Sequence, residues 1–146
     1  MPLLATNKRA FHDYHILETF EAGMALLGHE VKSARNGNVS LKGSYVAIGR
    51  TGALLLNAHI GAYDKAGALP SYDPTRTRSL LLKKKELRHL QGKIHEQGLT
   101  LIPLSLYTKG HLIKLEFALC RGKKQFDKRE TIKQREWKRR QQRIEN

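Results

Sequence analysis

The sequence predicts a mostly β domain, a small closed or nearly closed barrel with flanking helices, followed by a strongly basic tail. Three observations predict it. Short apolar stretches with period-two alternation recur along residues 1–120, separated by Gly-, Asn- and Thr-containing turns. Only one long stretch carries an unmistakable helical apolar face. Finally, charge is divided unevenly. Residues 1–120 hold 16 Lys and Arg against 9 Asp and Glu, whereas residues 121–146 hold 11 against 4. Half of the formal net charge of +14 therefore sits in less than a fifth of the 146 residues.

The elements follow in order. His12 to Glu18 reads as a first strand. Phe20 to Leu27 reads as a short helix stopped by Gly28. Glu30 to Arg35 resumes an extended pattern, and Asn36-Gly37 is a strong turn signal. Ser44 to Ile48 and Ala53 to Ile60 are apolar runs joined by Gly-Arg-Thr-Gly, as in a hairpin. Residues 61–79 are rich in Gly, Pro, Asp, Ser and Thr and read as a long loop. A second helix spans Leu80 to Gln97, with Leu80, Leu87, Leu90 and Ile94 on one face and Gly98 as its stop. Leu99 to Tyr107 and His111 to Leu119 are two further strands around Thr108-Lys109-Gly110. Pro103 has no N–H to give a ladder, so it marks an edge or a bulge. Five or six short strands with two helices fit an OB-fold-like barrel.

Domain organisation is set by where a core is affordable. Residues 1–122 carry enough apolar side chains for one domain. Residues 123–146 have Phe126, Ile132, Trp137 and Ile144 as their only large apolar groups, too few to bury anything alone. The tail has helical features nonetheless. Asp127 and Glu130 have cap spacing, and Glu130/Gln134 and Glu136/Arg140 stand at i,i+4. An isolated helix of that length is marginal in water, so the tail is expected to be disordered when free and helical against a phosphate-rich surface.

Composition narrows the function. A sequence pI near 10.2 calls for a partner made of phosphates. An anionic membrane is the competing partner, but no Gly follows Met1, no Cys lies near the C-terminus and no apolar run approaches a membrane span, so no membrane role is expected. No secretory signal is visible, and a cytoplasmic location is expected. Phosphate-binding loops, dinucleotide fingerprints and nucleophile elbows are all missing from the sequence, and no cofactor or metal is expected. Cys120 ends an apolar strand and reads as a buried thiol, not a nucleophile. Asp13, Glu18 and Glu21 form the densest acidic cluster, which a metal-dependent nuclease would want; carboxylates at a helix start have a dipole reason to be there instead.

The basic groups carry more information. Asn7-Lys8-Arg9, Lys32 with Arg35, Arg76-Thr77-Arg78 and Lys83-Lys84-Lys85 are separate clusters. Any one of them is an ordinary solvated face, but several on one barrel would track phosphates. Tyr14, Phe11, Tyr45 and Tyr72 are candidates for stacking on bases, though at least half of such aromatics belong to a core. With 27 Lys and Arg against 10 aromatic residues, recognition of a folded RNA by shape and backbone is favoured over base-by-base reading. A structural ribosomal protein is the alternative in another class, and an OB-fold nuclease the enzymatic one.

Three segments then resemble one family. Asn7-Lys8-Arg9-Ala10, Asp13-Tyr14, Glu21-Ala22-Gly23 and Gly28-His29-Glu30-Val31-Lys32-Ser33 with Arg35 resemble the N-terminal signature of the SsrA-binding proteins (small protein B). Asp73-Pro74-Thr75-Arg76-Thr77-Arg78 with Leu80-Leu81-Leu82 resembles their central motif, and Arg121-Gly122-Lys123-Lys124 through Arg135-Glu136-Trp137 their C-terminal one. The resemblance implies an OB-like body and a tail that is unstructured when free. It implies binding to the tRNA-like domain of transfer-messenger RNA and delivery of that RNA to stalled bacterial ribosomes. Alanyl-tRNA synthetase and elongation factor Tu would be partners through the RNA. The tail would become helical in the vacant mRNA channel of the small subunit, near the decoding centre. The protein would act as a monomer and not as an enzyme.

Carried over by position, the resemblance implies RNA contacts at Asn7, Lys8, Arg9, Tyr14, Glu21, Gly23, Lys32, Arg35, Arg76, Thr77, Arg78, Leu81 and Lys83. It implies ribosome contacts along Gly122, Lys123, Lys124, Phe126, Asp127, Lys128, Arg129, Ile132, Lys133, Arg135, Trp137 and Lys138. Ala34 and Ser79 depart from the family's usual choices, and the tail ends soon after Trp137.

Overall fold

A computed structural model describes residues 2–63, 71–96 and 98–123. Its elements are β1 (Leu3–Thr6), α1 (Lys8–Asp13), β2 (Tyr14–Met24), α2 (Gly28–Arg35), β3 (Val39–Ser40), β4 (Tyr45–Ile48), β5 (Ala53–Leu56), β6 (His59–Ile60), β7 (Arg78–Leu81), α3 (Lys84–Lys93), β8 (Leu99–Lys109) and β9 (Leu112–Gly122). Seven strands form one antiparallel sheet in the order β1-β8-β9-β2-β7-β5-β4, and β3 pairs with β6.

The mainly β class with a few helices is as expected. The closed barrel is not what the ladder shows. Among the described residues the sheet curls until β4 lies beside β8, yet no hydrogen-bonded pair closes it. β1 pairs with the second half of β8, from Leu3↔Tyr107 to Thr6↔Ser105.

One face of the curled sheet buries the main core. Phe20, Leu55, Leu80, Leu101, Leu106, Leu115, Phe117 and Leu119 meet Leu90 of α3 and Ala34 of α2 there. Phe20 stacks on Phe117 with ring centroids 5.5 Å apart. On the opposite face α1 lays Ala10 over Ile102, Leu104, Ala118 and Cys120, making a second, smaller cluster. Burial there pushes the Cys120 thiol up to about 11, so the buried-thiol reading stands.

Four expectations from the sequence are corrected. The stretch 20–27 is not a helix: β2 runs on to Met24, because Phe20 and Ala22 alternate inward and pair with Phe117 and Leu115 of β9. His12 and Asp13, expected in a strand, end α1. Residues 30–35 are helical, not extended. Glu30 accepts the Leu27 N–H (2.9 Å) at the helix start. At its end Gly37, with φ +82°, donates to Ala34 O (2.9 Å) and Asn38 donates to Ser33 O (3.1 Å), a paired closure that only a left-handed residue permits. Asn36-Gly37 is therefore a helix stop. Leu80 and Leu81 belong to β7, and the second long helix starts only at Lys84. Pro103 does sit at a bulge: the β8–β9 register shifts between Pro103 and Ser105.

Candidate RNA-binding surface

Beyond α1, the outer face of the sheet carries no covering element among the described residues. Register defines what stands on it. Leu3, Tyr107, Lys114, Gly23 and Leu81 form one row across β1, β8, β9, β2 and β7. Thr6, Ser105, Glu116 and Glu21 form the next. Leu3 and Leu81 stand at the two ends of the first row, 62% and 63% exposed. At Gly23 a Cβ would stand 3.4 Å from Leu81 Cβ and 3.7 Å from Lys114 Nζ, so the missing side chain keeps backbone accessible between a leucine and a cation.

Glu21 is the acidic centre of this face. Tyr107 donates its O–H to Oε2 and Lys109 Nζ donates to Oε1 at 3.2 Å. Those two bonds hold the Glu21 carboxyl below the usual carboxylate range. Asn7 follows Thr6 at the end of the second row. Its N–H reaches Leu104 O (2.8 Å) and its Nδ2 reaches Pro103 O (3.0 Å), so the bulge at Pro103 and the start of α1 fix each other. Lys8 and Arg9 stand exposed beside it on the first turn. Tyr14 is half buried under α1, and burial raises its hydroxyl. An open cleft lies between α1 and Lys42–Tyr45, with Thr100 and Ile102 of β8 among its lining residues. Arg9, Lys42 and the 41% exposed Tyr45 line it. Lys42 had no sequence signal, being one isolated lysine beside a turn glycine.

The second basic cluster behaves otherwise. Arg78 is completely buried. Its Nε and Nη2 donate to Glu30 Oε2 at 2.9 and 2.7 Å, and Nη1 donates to Ala58 O at 2.7 Å. Arg76 grips the same carboxylate through Nε (3.0 Å) and Nη2. Tyr72 adds its O–H to Oε2 at 2.9 Å, and its ring edge meets His29. Glu30 has no exposed surface. Burial alone would raise its carboxyl, but the bonds from Arg76, Leu27 N–H, Arg78 and Tyr72 outweigh that and hold it at about 2. The expectation that Arg78 meets phosphate is corrected: its charge is spent inside the fold. Tyr72 is likewise committed to this knot and not displayed for stacking. Arg76 keeps a partly exposed side chain, and Thr77 is exposed.

The remaining predicted residues lie around these two features. Lys32 and Arg35 are exposed on the last turn of α2, with Lys32 Nζ 5.8 Å from the Tyr63 ring centre and Arg35 Nη2 donating to His111 O at 3.2 Å. Lys83 is exposed just before α3, two residues beyond Leu81. Asp13, Glu18 and Glu21 do not converge. Asp13 bonds His12 (2.7 Å), Glu18 bonds His89 (2.8 Å) and Glu21 bonds Tyr107. Gly122 pairs with Tyr14 and ends β9, and Lys123 follows with its N–H on Asp13 O (2.8 Å). The tail residues Lys124, Phe126, Asp127, Lys128, Arg129, Ile132, Lys133, Arg135, Trp137 and Lys138 lie outside the described residues. Among the described residues, no helix is long and apolar enough to cross a membrane.

The arrangement so far is a curved sheet with one uncovered face, edged by basic side chains. Comparison with known proteins gives it a lineage. The family model described as SmpB protein matches residues 4–146. The chain belongs to the SmpB family. An SsrA-binding protein of Trichodesmium erythraeum is 51% identical over 141 residues, 97% of this chain and 90% of that one. Another, from Thermosipho melanesiensis, is 50% identical over 141 residues, 96% and 95% of the two chains. Among solved structures, one described as "tmRNA-SmpB: a journey to the center of the bacterial ribosome" matches with a TM-score of 0.70 and 45% identity, covering 90% of this chain and 95% of that chain.

Proposed function

We propose that this chain binds the tRNA-like domain of transfer-messenger RNA through the outer face of its sheet and brings that RNA to stalled bacterial ribosomes. The observation that carries the reading is convergence. Glu21 and Gly23 of the N-terminal signature and Leu81 of the central motif stand on one uncovered sheet face, and Asn7 of the N-terminal signature stands at its end. Lys8, Arg9, Lys83 and Lys114 supply cations around it, suited to phosphates, while Arg76, Lys32 and Arg35 extend the basic rim. The names of the relatives and of the solved neighbour support transfer-messenger RNA as the ligand and the ribosome as the destination. They disfavour a permanent structural role in the subunit.

In this reading residues 1–122 are an OB-like body that grips RNA, and residues 123–146 are a tail that is disordered when free. The tail becomes helical in the empty mRNA channel, where its phosphate-matching cations and the anchors Phe126 and Trp137 report that message is absent. Alanyl-tRNA synthetase and elongation factor Tu meet the protein through the RNA, in the cytoplasm, and no catalysis is assigned to the chain.

Two variants separate body from tail. Glu21→Ala should weaken binding to the tRNA-like domain while leaving the urea midpoint near wild type; unchanged affinity removes Glu21 from the RNA surface. Truncation after Gly122 should spare RNA binding and abolish peptide tagging on stalled ribosomes. Retained tagging refutes the tail's sensing role.

A further inference from the structure

Glu21 raises a physical problem. It stands directly across from Glu116 on the same face of the sheet, and like charges so placed repel. Left to itself, the Glu21 side chain would swing away from Glu116 and present no fixed acceptor. Tyr107 prevents this. The residue is 8% exposed, seated in the outer row between Leu3 and Lys114, and its hydroxyl reaches past β9 to Glu21, two strands away. A tyrosine buried on its ring and polar at its tip needs a partner there, and the carboxylate is that partner. The two carboxylate oxygens are thereby made unequal. Oε2 is tied to the hydroxyl of a buried tyrosine, whereas Oε1 is tied at 3.2 Å to Lys109, whose side chain is 54% exposed. A half-exposed lysine exchanges partners readily, since its ion pair with a surface carboxylate is weak.

We infer that Tyr107 is a positioning residue for RNA binding: it clamps Glu21 Oε2, so that Oε1 is the oxygen presented to an N–H or O–H donor of the RNA, while Lys109 leaves Oε1 for a neighbouring phosphate. The inference rests on the outer-face reading above and adds to it two residues, Tyr107 and Lys109, that lie outside the motif segments read from the sequence. A phenylalanine at 107 would keep the ring's packing and lose only the clamp, which makes the idea testable without unfolding the sheet.

The experiment measures affinity of the full chain for the isolated tRNA-like domain of transfer-messenger RNA. Wild type, Tyr107→Phe, Glu21→Ala, the double variant and Lys109→Ala are compared across a salt series, with urea midpoints recorded. Tyr107→Phe should bind about tenfold more weakly, the size of one lost charge-assisted hydrogen bond. The double variant should bind no more weakly than Glu21→Ala alone, because a clamp with nothing to hold has no effect. Lys109→Ala should flatten the dependence of log affinity on log salt by roughly one phosphate contact. Wild-type affinity in Tyr107→Phe, or an equal loss whether or not Glu21 is present, overturns the positioning role. An unchanged salt slope in Lys109→Ala overturns the transfer to phosphate. If Glu21→Ala binds like wild type, the outer-face reading of Glu21 fails, and this inference fails with it.

Discussion

At the scale of single residues, charge in this chain serves two different ends. Glu21 is a surface carboxylate among exchangeable cations, whereas Glu30 is sealed between two arginines. Replacing Glu30 with Gln leaves the completely buried Arg78 without its counter-charge. Breaking a buried pair in this way costs about 3–5 kcal/mol, a large share of the roughly 5–15 kcal/mol that holds a domain together. Urea unfolding of Glu30→Gln should show a midpoint far below wild type; a midpoint within error of wild type would contradict the burial. The same group sets an acid limit. Its folded carboxyl is at about 2 against an ordinary value of 4.5. Its stabilisation is therefore whole above about pH 4.5 and is lost as pH falls toward about 2, so the wild-type midpoint should drop across that window. Glu30→Gln should show a weaker drop there. None of this was legible in the sequence. Arg76-Thr77-Arg78 looks like any exposed basic cluster, and only the fold brings Glu30, 46 and 48 positions earlier, against it.

At the scale of elements, the sequence signals that survived are those set by local chemistry. Pro103 marked a bulge because a residue without an N–H cannot fill a ladder. Ile113, Leu115 and Phe117 alternated because one face of β9 is core. The signals that failed are those where tertiary pairing competes with propensity. Residues 20–27 hold good helix formers, and β9 and β7 recruit Phe20 to Met24 into a strand regardless. Residues 30–35 looked extended because the capping partner that starts their helix, Glu30, acts through a backbone N–H that no apolar pattern reveals. Asn36-Gly37 was a correct signal of reversal attached to the wrong element. The glycine's role there is measurable. Gly37→Ala places a Cβ at φ +82°, where an L side chain is disfavoured, and should cost about 1 kcal/mol by urea unfolding. No loss would mean that the closing turn relaxes without penalty.

At the scale of the whole molecule, the even split of charge between body and tail was plain from the sequence, and the candidate surface was not. Motif segments named Asn7, Glu21 and Leu81 but could not say that Glu21 and Leu81 share a sheet face with Asn7 at its end. They equally could not say that Arg78 is withdrawn from it. The roles proposed for Tyr107 and Lys109 were invisible because they depend on register across β9. The charge does yield a direct expectation. With 6–10 phosphate contacts, affinity for the tRNA-like RNA should fall by roughly 10³–10⁵ between 50 and 200 mM salt. A flat response in a filter-binding titration would rule out phosphate contacts as the main source of affinity.

The pairing of β1 with β8 also constrains how the chain is made. Leu3 finds its neighbour at Tyr107 and Tyr14 finds its own at Gly122, so the first strands synthesised wait for nearly the last. β4, β5, β7 and the end of β2 can pair as they emerge, but β1 and most of β2 have no strand partner until β8 and β9 are made, and such non-local pairings slow folding. Chains released before β9 emerges should remain open to protease along β2. The protein's own messages, if broken short, would then yield fragments that are easily cleared.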